Sequence, residues 1–341
     1  MKARSKVTAS IAIIALAIIA LIVVSGLRAG TAQQSSAVRS SSSQIRTGFV
    51  KGLAFTPASY DSAGTTDFFA KASQAGSVVE WAGDWDQLDG PGAPATVAQL
   101  ASRNGQESMI AVQFFTQSTG QLIRPLNATN EQHYLSITEE FARQYRPSYL
   151  AVGIEVNLLY EKNPTSFAEF VKFYSQVYSS VKSVSPETDV FTVFQLEKMN
   201  GLGGGLYGGV NDPNSSEWQL LSQFPQDDVA AFTTYPSLVY QSPADIPSDY
   251  YSSIAVHTNR SVGFTEIGWN SASVSGGWKS NESEQSAFVA RFFSLTSTLA
   301  RAFAVWSFLY DQSAPVPFDS MGLIYVNGTT KESWEAWQEA A

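Results

Sequence analysis

Between residue 47 and the C-terminus, eight short apolar runs alternate with longer amphipathic stretches. The runs span 49–55, 78–82, 109–115, 150–156, 190–196, 229–233, 262–267 and 303–309, and are rich in β-branched and aromatic residues. Between most of them the apolar residues take a helical period, as at 131–145, 166–183 and 282–300. Phe167, Phe170, Val171, Tyr174, Val177, Tyr178 and Val181 recur at three- and four-residue steps, which sets them on one helix face. Strand–helix alternation implies right-handed crossovers and a parallel sheet. Eight strands in a stretch of this length fit an α/β chain closed into a (β/α)8 TIM barrel better than an open doubly wound sheet. No Gly-x-Gly-x-x-Gly follows the first run, which argues against a dinucleotide fold.

The chain before the barrel is of a different kind. Lys2, Arg4 and Lys6 precede an uncharged stretch at 7–27 whose 21 residues would extend roughly 30 Å as a helix, enough to cross a bilayer. Basic residues ahead of such a span hold its N-terminus in the cytoplasm and direct the remainder outward. Cleavable signals have a shorter apolar core, so the preferred reading of 1–32 is an uncleaved membrane anchor. Gly30-Thr31-Ala32 keeps a cleaved signal open. Residues 33–46, rich in Ser and Gln, read as a flexible tether, and 47–341 as the barrel. The expected location is the cell membrane with the barrel facing outside, or secretion if the segment is cut. Sequons at Asn127, Asn214, Asn259, Asn281 and Asn327 agree with export. The absence of cysteine excludes disulfides and thiolate metal sites. A formal charge of −9 argues against nucleic acid as a partner.

In a barrel of this kind chemistry sits at the C-terminal ends of the strands. There the sequence places Glu155 at the end of run four and Glu266 at the end of run seven, 111 residues apart. A carboxylate at the tip of a buried strand is costly without a partner or a task. Two of them on different strands of one sheet suggest the acid/base and nucleophile of a glycosidase. The same ends carry Trp81, Gln113, Asn157, Gln195, Glu197, Tyr235, Trp269 and Trp306. Aromatic platforms beside amides and carboxylates suit a sugar, which has apolar C–H faces and a rim of hydroxyls. Gly201–Gly209 lacks the Lys-Ser/Thr of a phosphate loop and reads as a loop at the cleft rim. His133 and His257 have no ligand-like spacing, so no metal is expected. Trp334 and Trp337, three apart, belong to a final helix packed on the barrel.

These segments resemble glycoside hydrolase clan A. Gly263-Phe-Thr-Glu266-Ile-Gly-Trp269 is similar to the nucleophile strand of families 17, 53 and 113. Val152-Gly-Ile-Glu155-Val-Asn157 is similar to the acid/base strand, usually Gly-Asn-Glu-aliphatic-Asn. The resemblance implies a retaining enzyme acting on β-linked poly- or oligosaccharides by double displacement, without cofactor. Glu266 would then be nucleophile and Glu155 acid/base. Tyr235 would match the residue that bonds the nucleophile, and Trp306 the eighth-strand tryptophan that floors the reactive subsite. Trp81, Gln113, Asn157, Gln195 and Trp269 complete the expected substrate contacts. One position departs: Ile154 stands where most of the clan has the asparagine that bonds the sugar 2-hydroxyl, though family 113 also lacks it. Either Gln113 or Gln195 takes over that contact, or the substrate differs at carbon 2, or the barrel binds carbohydrate without cleaving it.

Overall fold

The computed structural model describes residues 48–274 and 278–340. The anchor and tether readings of 1–32 and 33–46 lie outside these residues. Among the described residues no helix is long and apolar enough to cross a membrane.

The expected barrel is present. Its strands are β1 (Val50–Ala54), β2 (Val78–Asp84), β3 (Glu107–Gln113), β4 (Tyr149–Val152), β5 in two pieces (Asp189–Phe191 and Val193–Gln195), β6 (Ala230–Thr234), β7 (Val262–Ile267) and β8 (Arg301–Trp306). Parallel pairing runs from β1 through β2 and β3 to β4 on one side, and through β8 and β7 to β6 on the other. The two arms meet at β5, whose first half pairs with β4 and second half with β6. The interruption falls at buried Thr192, whose hydroxyl donates to Asp227 Oδ2 at 2.8 Å.

Around the strands lie α1 (Ser62–Ala75), α2 (Ala93–Arg103), α3 (Ala128–Tyr145), α4 (Val156–Lys162), α5 (Pro164–Val184), α6 (Leu196–Met199), α7 (Ile254–His257), α8 (Glu282–Thr296) and α9 (Glu332–Glu339). Asn163 begins α5 by accepting from Ser166 N at 3.2 Å, ahead of Pro164 at the first helical position. Phe167, Phe170, Tyr174, Val177 and Val181 of α5 are buried, as their period requires. Trp337 of α9 packs on Phe293 and Trp306, with centroids 5.4 and 5.6 Å away.

Two departures from the expected strands shape the barrel mouth. Run four ends at Val152 instead of 156, because Gly153 adopts φ +108° and a new helix, α4, begins at Val156. A Cβ at Gly153 would come within 2.9 Å of Phe114 and Val156, so the turn also needs the missing side chain. Run eight ends at Trp306 instead of 309, where Leu309 N turns to Thr56 Oγ1 at 2.8 Å.

Inside the barrel, Tyr149, Phe191 and Phe303 fill the lower half, with ring centroids 4.8 and 5.5 Å apart. Towards the C-terminal ends the inward residues shrink: Ala82 is level with Ala111, and Ala111 with Ala151. This taper leaves the upper interior to polar side chains.

Trp337 is fully buried and locks the last helix onto the barrel. Trp337→Ala should therefore lower the unfolding free energy by about 3–5 kcal/mol, read from the midpoint of a guanidinium titration. A loss below about 1 kcal/mol would mean that α9 is not part of the cooperative core.

Candidate active site

Both glutamates stand on irregular backbone. Glu155 caps the start of α4 with φ 55° and ψ 45°, a left-handed conformation that costs a non-glycine residue about 1–2 kcal/mol. It is held by Leu158 N donating to its carbonyl at 2.8 Å, and by the Gly153 carbonyl accepting from Val193 N at 3.0 Å. Glu266 follows a β-bulge. Phe264 is level with Phe232 of β6, yet Glu266 is level with the next residue, Thr233, so β7 carries one extra residue. The same extra residue shows against β8, where Phe264 pairs Ala304 and Ile267 pairs Trp306. A bulge reverses which side chains face inward beyond it, and this one turns Glu266 into the barrel.

The two carboxyls share one buried site, with Glu155 0% and Glu266 2% exposed. Glu155 Oε1 accepts from Thr233 Oγ1 at 2.7 Å and Gln195 Nε2 at 3.0 Å. Glu266 Oε2 accepts from Tyr235 OH at 2.7 Å, and that phenol also lies 2.8 Å from Ser307 Oγ. Glu155 Oε2 and Glu266 Oε1 have no hydrogen-bond partner among the described residues. Burial pushes the Glu155 carboxyl up to about 7 against the pull of Thr233 and Gln195, and the charge of Glu197 adds to the rise. Burial and then the Glu155 charge push Glu266 well above the carboxylate range, while Tyr235 lowers it. The extra donors at Glu155 favour its charged form relative to that of Glu266, and a donor supplied to Glu266 Oε1 would favour the charged form there.

The remaining expected residues divide into braces and packing. Gln113 Nε2 donates to the Ile154 carbonyl at 3.1 Å and its Oε1 accepts from Phe114 N at 3.0 Å, so it props the turn below Glu155. Asn157 clamps β5: its Oδ1 accepts from Gln195 N at 2.9 Å, and its Nδ2 donates to Gln195 O and to Glu217 Oε2. Both are therefore engaged with the protein rather than turned to a ligand. The three tryptophans lie in the layer between strands and helices. Trp81 alternates with inward Glu80 and packs over Gly83. Trp269 stacks on Phe288 with centroids 5.1 Å apart and donates to Ser280 Oγ. Trp306 donates to the Met321 carbonyl at 2.9 Å and packs on Phe288 and Trp337. As substrate platforms Trp81, Trp269 and Trp306 are corrected, since each is 6% exposed or less and faces away from the barrel interior.

Sequence reasoning passed over Glu80 and Tyr207, and it placed Glu197 at a strand end without giving it a role. Glu80 is 1% exposed on β2, and neither carboxyl oxygen has a hydrogen-bond partner among the described residues. Burial, then the charge of Glu266, hold it protonated well above the usual range. The signal was a lone acid on the inward parity of Val78-Val-Glu80-Trp-Ala82. Glu197, 0% exposed, is fixed by Tyr250 OH at 2.7 Å, Tyr235 N at 2.9 Å and Thr234 Oγ1 at 3.1 Å. The glycine-rich loop supplies Tyr207, whose pKa is raised by burial, Glu197 and Glu155. That loop presses against Trp278, whose ring would lie 2.6 Å from a Cβ at Gly205. Beside Tyr207 and Gln195 opens a cavity of about 510 Å³, also lined by Glu161, Lys198 and Gln117. Among the described residues no group of three or more His, Asp or Glu could hold a metal ion. His133 bonds Asp86 and His257 stacks on Trp218.

No protein-family model matches this chain, and no curated protein does. Solved structures do match its fold. A family 39 glycoside hydrolase from Bacteroides cellulosilyticus WH2 superposes with a TM-score of 0.60 at 17% identity, over 85% of this chain and 63% of the other. An exo-β-1,4-mannosidase from Opitutaceae bacterium strain TAV5 gives 0.59 at 15%, over 85% and 58%. A GH5_18 protein from Bifidobacterium longum subsp. longum gives 0.60 at 14%, over 85% and 78%. The chain thus spans about three fifths of the first two. It has the barrel fold of the clan A glycoside hydrolases, the group its strand motifs resemble.

Glu155, Glu217 and Asp227 each reach about 7 through burial. Between the ordinary carboxylate range and that value, the folded chain holds protons that the unfolded chain has released. Stability is then greatest at the low end of the window and falls as pH rises through 7. The melting temperature should drop from pH 5.5 to pH 8 in a calorimetric series. A melting temperature that rises over this interval would show these groups ionised in the fold.

Proposed function

We propose that the protein is a retaining glycoside hydrolase acting on β-linked poly- or oligosaccharides. The observation that carries this reading is the pair Glu155 and Glu266, buried together at the ends of β4 and β7, each with one oxygen left for a ligand. Glu266 would attack the anomeric carbon while the glycosidic bond breaks and the Glu155 proton passes to the departing oxygen. Water would then attack the same carbon, giving its proton to Glu155 and releasing Glu266. Tyr235 orients the nucleophile, and a substrate hydroxyl or amine donating to Glu266 Oε1 would keep it charged at the moment of attack. The cavity beside Gln195 and Tyr207 adjoins Glu155 through Gln195, which donates to its carboxyl, and would take the leaving sugar.

A carbohydrate-binding barrel without catalysis is the second reading, favoured by Ile154, which packs among the inner alanines where an amide would reach the sugar. The export reading also stands as a proposal: the 7–27 span would tether the barrel outside the membrane, or be cut to release it.

Glu266→Ala should lose turnover on every β-glycoside and regain it with azide as the α-glycosyl azide. Glu155→Ala should keep its first step only for aryl leaving groups, which need no proton. The opposite pattern would exchange the two roles, and binding of β-glycans by an intact protein without any turnover would select the second reading. For location, the chain should sediment with membranes and be digested by protease added to intact cells. Digestion only after lysis would refute export.

A further inference from the structure

The barrel mouth holds more acceptors than its own donors satisfy. Among the described residues, Glu80 Oε1 and Oε2, Glu155 Oε2, Glu197 Oε2, Glu266 Oε1 and Gln195 Oε1 are all buried without a hydrogen bond. None of these four carboxyls forms an ion pair with a described lysine, arginine or histidine. Buried acceptors of this kind call for a ligand rich in donors, and buried negative charge calls for a cation.

Glu80 is the member that the double-displacement scheme does not use. It is level with Ala54 of β1, and Ala54 is one residue beyond Leu53, which pairs with Trp306 of β8. In pairing register Glu80 thus stands opposite Ser307 on this side, as it does opposite Met109 and Tyr149 on the other. Ser307 touches Tyr235, the partner of Glu266. At this level the two strands between Glu80 and Glu266 present the small Ala54 and Ser307, with Val305 one step below. A sugar whose anomeric carbon faces Glu266 has two ring atoms next to that carbon, the ring oxygen and carbon 2. Only the substituent on carbon 2 can donate hydrogen bonds. Towards the acid strand that substituent meets the methyl groups of Ile154 instead of an amide.

We propose that Glu80 binds a protonated amine on carbon 2 of the sugar next to Glu266, which makes the substrate class β-linked 2-amino-2-deoxy sugars. This rests on the glycosidase reading and narrows it. An ammonium shared by Glu80 and Glu266 Oε1 satisfies three orphan oxygens and keeps the nucleophile charged. The charge of the ammonium favours the ionised form of Glu80, whose proton passes to solvent, and the carboxylate so formed offsets the repulsion between that ammonium and the positive charge that develops at the anomeric carbon.

The test compares nitrophenyl β-glycosides bearing a free amine, a hydroxyl or an acetamide at carbon 2, in gluco and manno configuration, with the full chain and with Glu80→Gln. The amine should have the highest kcat/KM. Its advantage over the hydroxyl should fall roughly ten- to a hundredfold in Glu80→Gln, as expected for losing a charge-assisted hydrogen bond. A wild type that prefers the hydroxyl or acetamide, or an advantage unchanged in the variant, overturns the proposal and leaves the glycosidase reading standing. Calorimetric titration of the wild type with glucosamine and glucose decides the case in which Glu80→Gln does not fold or no glycoside is cleaved. Tighter binding of glucosamine then supports the amine site, even where the absence of turnover has sunk the glycosidase reading. Equal binding, or none, overturns it.

Discussion

Everything at the mouth of this barrel follows from the cost of placing carboxyls where water does not reach them. Glu80, Glu155, Glu197 and Glu266 are each 2% exposed or less. A lone buried carboxylate escapes this cost by taking a proton or a hydrogen-bond donor. The surrounding sequence supplies donors unevenly. Glu197 receives three on one oxygen, Glu155 two, Glu266 one and Glu80 none. That gradient sets how strongly the protein stabilises each charged form and marks where a ligand would gain most.

The scaffold makes such crowding tolerable. Aromatic rings seal the lower half of the barrel, and alanines on β2, β3 and β4 clear its upper half. Struts then fix the backbone around the acid strand. Gln113 holds the Ile154 carbonyl and Asn157 clamps the end of β5, each spending its side chain on main-chain groups. These contacts fix the backbone from which the Glu155 side chain projects.

Much of this was legible in the order of residues. The alternation of runs gave the barrel, because buried strands and amphipathic helices differ in period. The strand ends gave Glu155, Gln195, Tyr235 and Glu266, which the fold brings together. The tryptophans were misread for a definite reason. Position at a strand end does not by itself mean facing the mouth, and alternation sends Trp81 and Trp306 outward. Parity counted from Val78 would have exposed both the error at Trp81 and the importance of Glu80. Parity could not have found Glu266, since the extra residue in β7 resets the count and only pairing with β6 and β8 reveals it. The partners of Glu197 come from β6 and from Tyr250, far along the chain, and no local pattern announces them.

The left-handed backbone at Glu155 has a consequence for how such a barrel would drift. Glycine and asparagine occupy that region of conformational space more comfortably than glutamate, and neither brings a titrating group into the dry interior. Exchanging the acid for either would relax the main chain and remove a charge at one stroke. Against that gain stand only the two hydrogen bonds from Thr233 and Gln195 and the space the side chain fills, so selection on what the glutamate does would be needed to hold it in place against drift.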